Sequence, residues 1–263
     1  MNTGTELGIF PPGRYFLPNA PVSRGEAFGF AVMAKYRNPT PRDQTRKLVW
    51  SDEFDGNALN PEKWNVETGS GGWGNGELQY YSPGSNLSVR DGKLRIMARK
   101  EAGSGPQYTS GRINTLGKAS WTYGKIEARI KLPRGQGLWP AFWMLGENMD
   151  SVGHPQCGEI DIVETVGGTS SEDGTDNGKI LYGSLHYGNP KSPATGTKSE
   201  SAAFGNPIGE DWGNEYHVYG IEWDESSVKH YVDRWRYGSV KLTGKAGTEA
   251  FHRPFFLLFN VAV

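Results

Sequence analysis

Cysteine is nearly missing from these 263 residues: Cys157 stands alone, which excludes an internal disulfide and a cysteine-rich zinc site. Neither sign of charge dominates. With 28 Lys and Arg against 29 Asp and Glu the net charge is −1, leaving no basic footprint for nucleic acid or an anionic membrane surface. No apolar run approaches the length of a membrane span. Residues 1–46 lack the basic start, apolar middle and small-residue cleavage site of a secretory signal. No amphipathic stretch is long enough for a core helix either. These absences leave one large soluble domain, expected as a monomer.

What the chain does have is glycine and aromatic side chains. Its 37 Gly suit many tight turns between short strands, and its nine Trp and twelve Tyr offer flat faces that stack on sugar rings. The same rings also fill sandwich cores, so composition alone names no ligand. Residues 1–46 form an N-terminal extension, Pro-rich on both sides of "EAFGFAVMAKY". From Lys47 to Val263 the pattern is β throughout. "KLVWSDEF", "NLSVRDGKLRIMARK", "YTSGRINT", "GKIEARIKL", "AFWML", "EIDIVET", "ILYGSLHYG", "YHVYGIEWD", "SVKHYVD" and "PFFLLFNVAV" read as strands between Gly, Asn, Asp and Pro turns. Asp91-Gly92 suits a type I′ hairpin turn. The fold class expected is an all-β sandwich or jelly roll of two antiparallel sheets. Residues 168–178 and 188–206 read as loops, where specificity commonly resides.

One strand carries chemistry. In "CGEIDIVETVGG", Glu159 and Asp161 alternate with Ile160 and Ile162, but Val163 takes the next polar place and Glu164 arrives one position late. A β-bulge at Ile162-Val163 returns Glu164 to the face of the other two acids. Three carboxyls in one cleft cannot all ionise cheaply, so one keeps a proton and becomes a general acid. A pair of carboxyls flanking a bond is the equipment of glycoside hydrolysis, with ~5–5.5 Å between them for retention and ~6.5–9.5 Å for inversion. As a bare pattern the run also suits a solvated acidic strand face or a carboxylate metal site.

With its neighbours the strand resembles glycoside hydrolase family 16. "GEIDIVE" matches the family's E-x-D-x-x-E signature in its bulged form. "GLWPAFWMLG", "GSLHYG", "WSDEFDG" and "WGNGELQYY" are similar to its laminarinase-like, endo-β-1,3-glucanase branch. The resemblance covers residues 47–263 and implies a β-jelly-roll with a concave substrate cleft. It implies Glu159 as nucleophile, Glu164 as acid/base and Asp161 as the residue tuning both. It places Trp139 and Trp143 against substrate, His186 beside the acid/base, and Asn75 and Arg112 as polar donors to sugars on the non-reducing side. Glu77 is expected to brace its loop.

The activity implied is endo-hydrolysis of laminarin-type β-1,3-glucan with retention, and of mixed-linkage β-1,3-1,4-glucan second. The alternatives are a family member acting on agar, carrageenan or β-1,4-glucan, or a non-catalytic carbohydrate-binding sandwich. The partner implied is a β-glucan polysaccharide, with no nucleic acid and no membrane, met outside the cell. No cofactor is required. The family's structural calcium would use Glu53 and an aspartate on a closing strand; the sequence stops at "NVAV" before that strand, which makes calcium doubtful. Phe28, Phe30, Val32, Ala34 and Tyr36 alternate as a buried strand face would, so residues 26–36 are expected to cover the edge that strand leaves.

Overall fold

The structure, a computed structural model, describes residues 28–33, 46–103, 105–168, 179–188, 197–205 and 212–263. Its strands in the first half are β1 (Phe28–Met33), β2 (Asn65–Glu67), β3 (Gln79–Tyr81), β4 (Leu87–Val89), β5 (Lys93–Lys100), β6 (Tyr108–Ser110), β7 (Arg112–Asn114), β8 (Ser120–Trp121) and β9 (Gly124–Lys131). There follow β10 (Trp139–Gly146), β11 (Glu159–Glu164), β12 (Ile180–Gly188), β13 (Thr197–Gly205), β14 (His217–Trp223), β15 (Ser227–Val232), β16 (Trp235–Lys241) and β17 (Phe255–Ala262). One sheet runs β16-β15-β14-β9-β1-β5-β6-β3, with β4 beside β5. The other runs β13-β12-β11-β10-β17-β7-β2, with β8 beside β17. The ladders are antiparallel except for the short parallel pair β3–β6.

The apolar alternation explains why the two sheets face each other. In β5 the side chains of Leu94, Ile96 and Ala98 are buried while their neighbours are only partly so. They meet Phe142, Met144, Ile160, Leu185, Phe259 and Val261 from the second sheet in one continuous core. Phe142 and Phe259 stack with centroids 4.6 Å apart. β17 is buried at all eight positions, as the near-continuous apolar run "FFLLFNVA" requires of a central strand covered on both sides. The hairpin at Asp91-Gly92 has φ of 57° and 66°, and Arg90 and Lys93 exchange two backbone hydrogen bonds, as a type I′ turn demands.

Two expectations need correction. "KLVWSDEF" is not a strand. Asp52 Oδ1 accepts from the Phe54 backbone N–H at 3.0 Å and Phe54 turns to φ 48°, which breaks extension. Trp50 packs on Trp64 and Trp121 while Leu48 and Val49 point outward, so the apolar residues are spent singly. Within 188–206, residues Thr197–Gly205 are not loop but the edge strand β13, paired along its length with β12. Its polar sequence hides it, because an edge strand need not be apolar. Phe28–Met33 pairs as a strand of the first sheet between β5 and β9 and so covers edges that both would otherwise expose, while 26–27 and 34–36 lie outside the described residues. Of the loop expected at 168–178, residues 169–178 lie outside the described residues. Among the described residues no helix is long and apolar enough to cross a membrane.

Candidate active site

β11 is where the sequence period breaks, and its pairing shows how. Against β10, Phe142 faces Val163 and Trp143 faces Asp161, so Ile162 is the extra residue. Against β12, Asp161 faces Ser184 and Glu164 faces Tyr182, leaving Ile162 and Val163 opposite Gly183. This is a β-bulge. Ile160, Ile162 and Val163 are all in the core, two of them consecutive, and that pair costs the strand its register. Glu159 and Glu164 stay partly exposed and Asp161 is buried between them.

Each acid has its own environment. Glu159 Oε2 lies 3.0 Å from His154 Nε2, and its Oε1 lies 3.9 Å from His186 Nε2. Burial pushes the Glu159 carboxyl up, but the hydrogen bond from His154, the charges of His186 and His154 and a hydrogen bond from Asp161 together hold it below the ordinary glutamate value. Asp161 moves the other way, well above the ordinary aspartate value, through burial, the negative charge of Glu159 and the hydrogen bond it donates to Glu159. Glu164 also rises well above its ordinary value. Burial leads, the charges of Asp161 and Glu159 add to it, and His186 and the Trp139 N–H only partly offset it. One strand thus carries a carboxyl held below its ordinary value and two that are pushed above theirs in opposition to it.

The flanking residues fall into place around this strand. Trp139 Nε1 donates to Glu164 Oε1 at 2.8 Å, so this indole is tied to the third acid as well as offering a face. Trp143 Nε1 donates to Asn260 Oδ1 at 2.7 Å and packs partly against Leu145, Cys157, Phe256 and Leu258. His186 stands beside Asp161, with Nε2 3.1 Å from Oδ2, and its Nδ1 lies 2.6 Å from Ser199 Oγ. Its close contacts are with Asp161 and Glu159, not with Glu164 as the resemblance implied, because it is the cross-strand partner of Glu159.

Arg112 differs most from its expected part. It is buried, ion-paired with Glu67, and its guanidinium lies 4.6 Å from the Trp73 ring and 4.9 Å from the Trp143 ring. The result is a Trp73–Arg112–Trp143 stack that stiffens one wall of the site. Asn75 is exposed on the Gly-rich loop beside Trp73, 3.4 Å from Glu77. Glu77 accepts from the Tyr81 hydroxyl at 2.9 Å and from Gln79, and so braces that loop. His154 and Trp73 were not singled out in the sequence. His154 lies in a turn with no periodic signal, and its only cue is its place five residues before Glu159.

Glu53 lines a cavity of about 350 Å³ with Asp52, Asp55, Asn60 and Lys63, away from the acidic strand. A calcium there would want six or more oxygen ligands. Asp52 is instead engaged by the Trp64 N–H at 2.8 Å, the Phe54 N–H and the Lys63 ammonium at 3.6 Å. Among the described residues no three acidic, His or Cys ligand atoms gather around Glu53. With a cation already in the wall, these residues do not fit calcium. Such atoms do gather at Glu159, Asp161 and His186, within 4.8 Å of one another, where burial and the charge of Glu159 raise Asp161 and couple it to its neighbour.

Comparison with known proteins gives this site its context. Residues 47–263 match the sequence model of a glycoside hydrolase family 16 domain described as beta-porphyranase A-D. The chain belongs to glycoside hydrolase family 16. Within the family it is 40% identical over 233 residues to a beta-glucanase of Rhodothermus marinus, covering 82% of this chain and 75% of that protein. It is 36% identical to the glucan endo-1,3-beta-glucosidase A1 of Niallia circulans, over 85% of this chain but only 35% of that longer protein. The laminarinase catalytic domain from Thermotoga maritima superposes with a TM-score of 0.71 at 43% identity, covering 82% of this chain and 87% of that one. The family's jelly-roll is therefore the fold of this chain.

Proposed function

We propose that this chain is an endo-acting β-1,3-glucan hydrolase that retains anomeric configuration, with laminarin-type glucan as substrate and mixed-linkage β-1,3-1,4-glucan second. The observation that carries it is the opposed proton affinity of Glu159 and Glu164 on one bulged strand. Glu164, protonated, donates its proton to the glycosidic oxygen as the C–O bond breaks. Glu159, ionised, attacks the anomeric carbon and forms a glycosyl ester. Asp161 donates its hydrogen bond to Glu159 and holds its orientation. Once Glu159 is an ester its charge is gone, and with it part of what raised Glu164. Glu164 then takes a proton from water, which hydrolyses the ester.

Trp139, Trp143 and Trp73 supply faces for sugar rings, and Asn75 supplies an exposed amide. His186 steadies Asp161. The chemistry is proton transfer and carboxylate attack throughout, so the reaction requires no cofactor. A polymeric substrate suits an extracellular enzyme acting as a monomer.

The porphyranase description of the matching family model supports a second reading, hydrolysis of agar or porphyran. A non-catalytic binding sandwich would have no use for the split protonation. Reducing-sugar release from laminarin, lichenan, agarose and porphyran tests all three. Rapid release from laminarin is expected. Release from agarose or porphyran alone moves the assignment to galactans, and binding without release from any of them favours the lectin-like reading.

A further inference from the structure

The bulge that aims Glu164 is itself held from the opposite sheet. Consecutive carbonyls of a strand normally point to opposite neighbours within their own sheet. Here the carbonyls of Asp161 and Ile162 both accept side-chain hydrogen bonds from the other sheet. His230 on β15 donates Nε2–H to Asp161 O at 3.0 Å, and the Tyr237 hydroxyl on β16 donates to Ile162 O at 3.2 Å. Their rings lie 6.0 Å apart. Buried carbonyls need partners, and a bulge is where the ladder cannot supply them.

A third residue makes room. Gly183 on β12 faces the bulge, and a Cβ there would stand 2.4 Å from His230 Cδ2. The missing side chain is the space that the imidazole occupies. His230 is fully buried, and burial pulls its pKa down to about 4, so it stays neutral with its proton available at Nε2. His230 is buried on β15, and Tyr237 packs against the core between the sheets.

We propose that His230 and Tyr237 are positioning residues that lock the β11 bulge, and thereby fix Glu164 beside Asp161 and Glu159, with Gly183 as the vacancy that admits the imidazole. Without the two donors the strand can relax toward regular pleating, which turns Glu164 toward the core face and out of line with the other acids. The inference rests on the assignment of Glu164 as acid/base, and its test separates the two.

The variants are Tyr237→Phe, which removes one hydroxyl, His230→Leu, which removes the other donor, and His230→Gln, whose amide can restore it. Activity on laminarin, melting temperature and the titration of Glu164 by carbon-13 NMR with labelled glutamate are measured on each. Glu164 is faced by Glu159 and Asp161 on its own strand, by His186 and Tyr182 on β12 and by Tyr237 itself on β16. Leaving the two acids removes their repulsion, while turning toward the core deepens its burial and takes it from His186 and the Trp139 N–H, so its titration moves away from the wild-type position. Tyr237→Phe and His230→Leu should each lower kcat about 10- to 100-fold with KM little changed, and move the basic limb and the NMR titration away from wild type together. His230→Gln should recover much of both.

A merely structural role would lower the melting temperature but leave kcat per folded molecule and the Glu164 titration at wild-type values. That result in Tyr237→Phe and His230→Leu together overturns the proposal. If wild-type protein does not hydrolyse laminarin, the functional reading fails. The NMR titration still decides the clamp in that case, because it needs no substrate.

Discussion

Trp139 Nε1 donates a 2.8 Å hydrogen bond to one oxygen of Glu164, Oε1, and so leaves the proton of the acid on the other. A donor of this kind favours the carboxylate and works against the burial and repulsion that raise Glu164. Trp139 is therefore tied to Glu164 through its indole N–H while its ring stays partly exposed.

Trp139→Phe keeps an aromatic face and removes the donor. The basic limb of the kcat/KM profile should move to higher pH, because Glu164 loses an interaction that stabilised its charged form. Trp139→Ala should in addition raise KM, by the ~1–3 kcal/mol of a stacking surface. A profile from Trp139→Phe that overlays the wild type would show that the bond does not set the acid's proton affinity.

Asp161→Asn should move the same limb the opposite way. The negative charge of Asp161 raises Glu164, and Asn carries none while still offering a donor to Glu159. Stability gives a second readout. Asp161 has a folded-state pKa above its unfolded value of about 3.9, so its contribution is whole below that pH and is lost as pH rises through the folded value. The variant should therefore lose less melting temperature than the wild type between pH 4 and pH 8, as calorimetry can measure.

His154→Phe should raise the acid limb. The hydrogen bond from His154 is the largest of the influences that hold Glu159 down, ahead of the charge of His186. Removing it lets burial push the nucleophile's pKa up, so activity should fall off sooner on acidification. His154→Asn, which keeps a donor, should shift the limb less. An unmoved acid limb in His154→Phe would contradict this account of the nucleophile.

The reach of the sequence ends where contacts become long-range. The bulge at Ile162-Val163 was legible because a lost period in a strand with core isoleucines has one economical cause. The hairpin at Asp91-Gly92 was legible because few residues tolerate two positive φ angles in succession. β13 was not, since an edge strand as polar as "TKSESAAFG" carries no apolar alternation. The Trp73–Arg112–Trp143 stack joins three segments with no local mark in any of them, and the family resemblance implied only a sugar donor at Arg112. His230 and Tyr237 look like ordinary strand residues until the opposite sheet is laid over them.

Arg112→Ala tests that stack. Breaking a fully buried ion pair costs about 3–5 kcal/mol, and because Glu67 is partly exposed the loss here should be nearer about 2 kcal/mol, read by denaturant unfolding. KM should rise as Trp73 and Trp143 lose the plane between them. Unchanged stability with a raised KM would return Arg112 to a direct role in holding sugar.

The central claim is that Glu159 attacks and Glu164 supplies and then reclaims the proton, a double displacement on one strand. Proton NMR during the first minutes of laminarin hydrolysis tests it most directly, since the anomeric signal of new reducing ends reports configuration before mutarotation. β-Anomer first, abolished in Glu159→Ala while glucan binding persists, is the result this account predicts. α-Anomer first, or hydrolysis at the wild-type rate by Glu159→Ala, would contradict it.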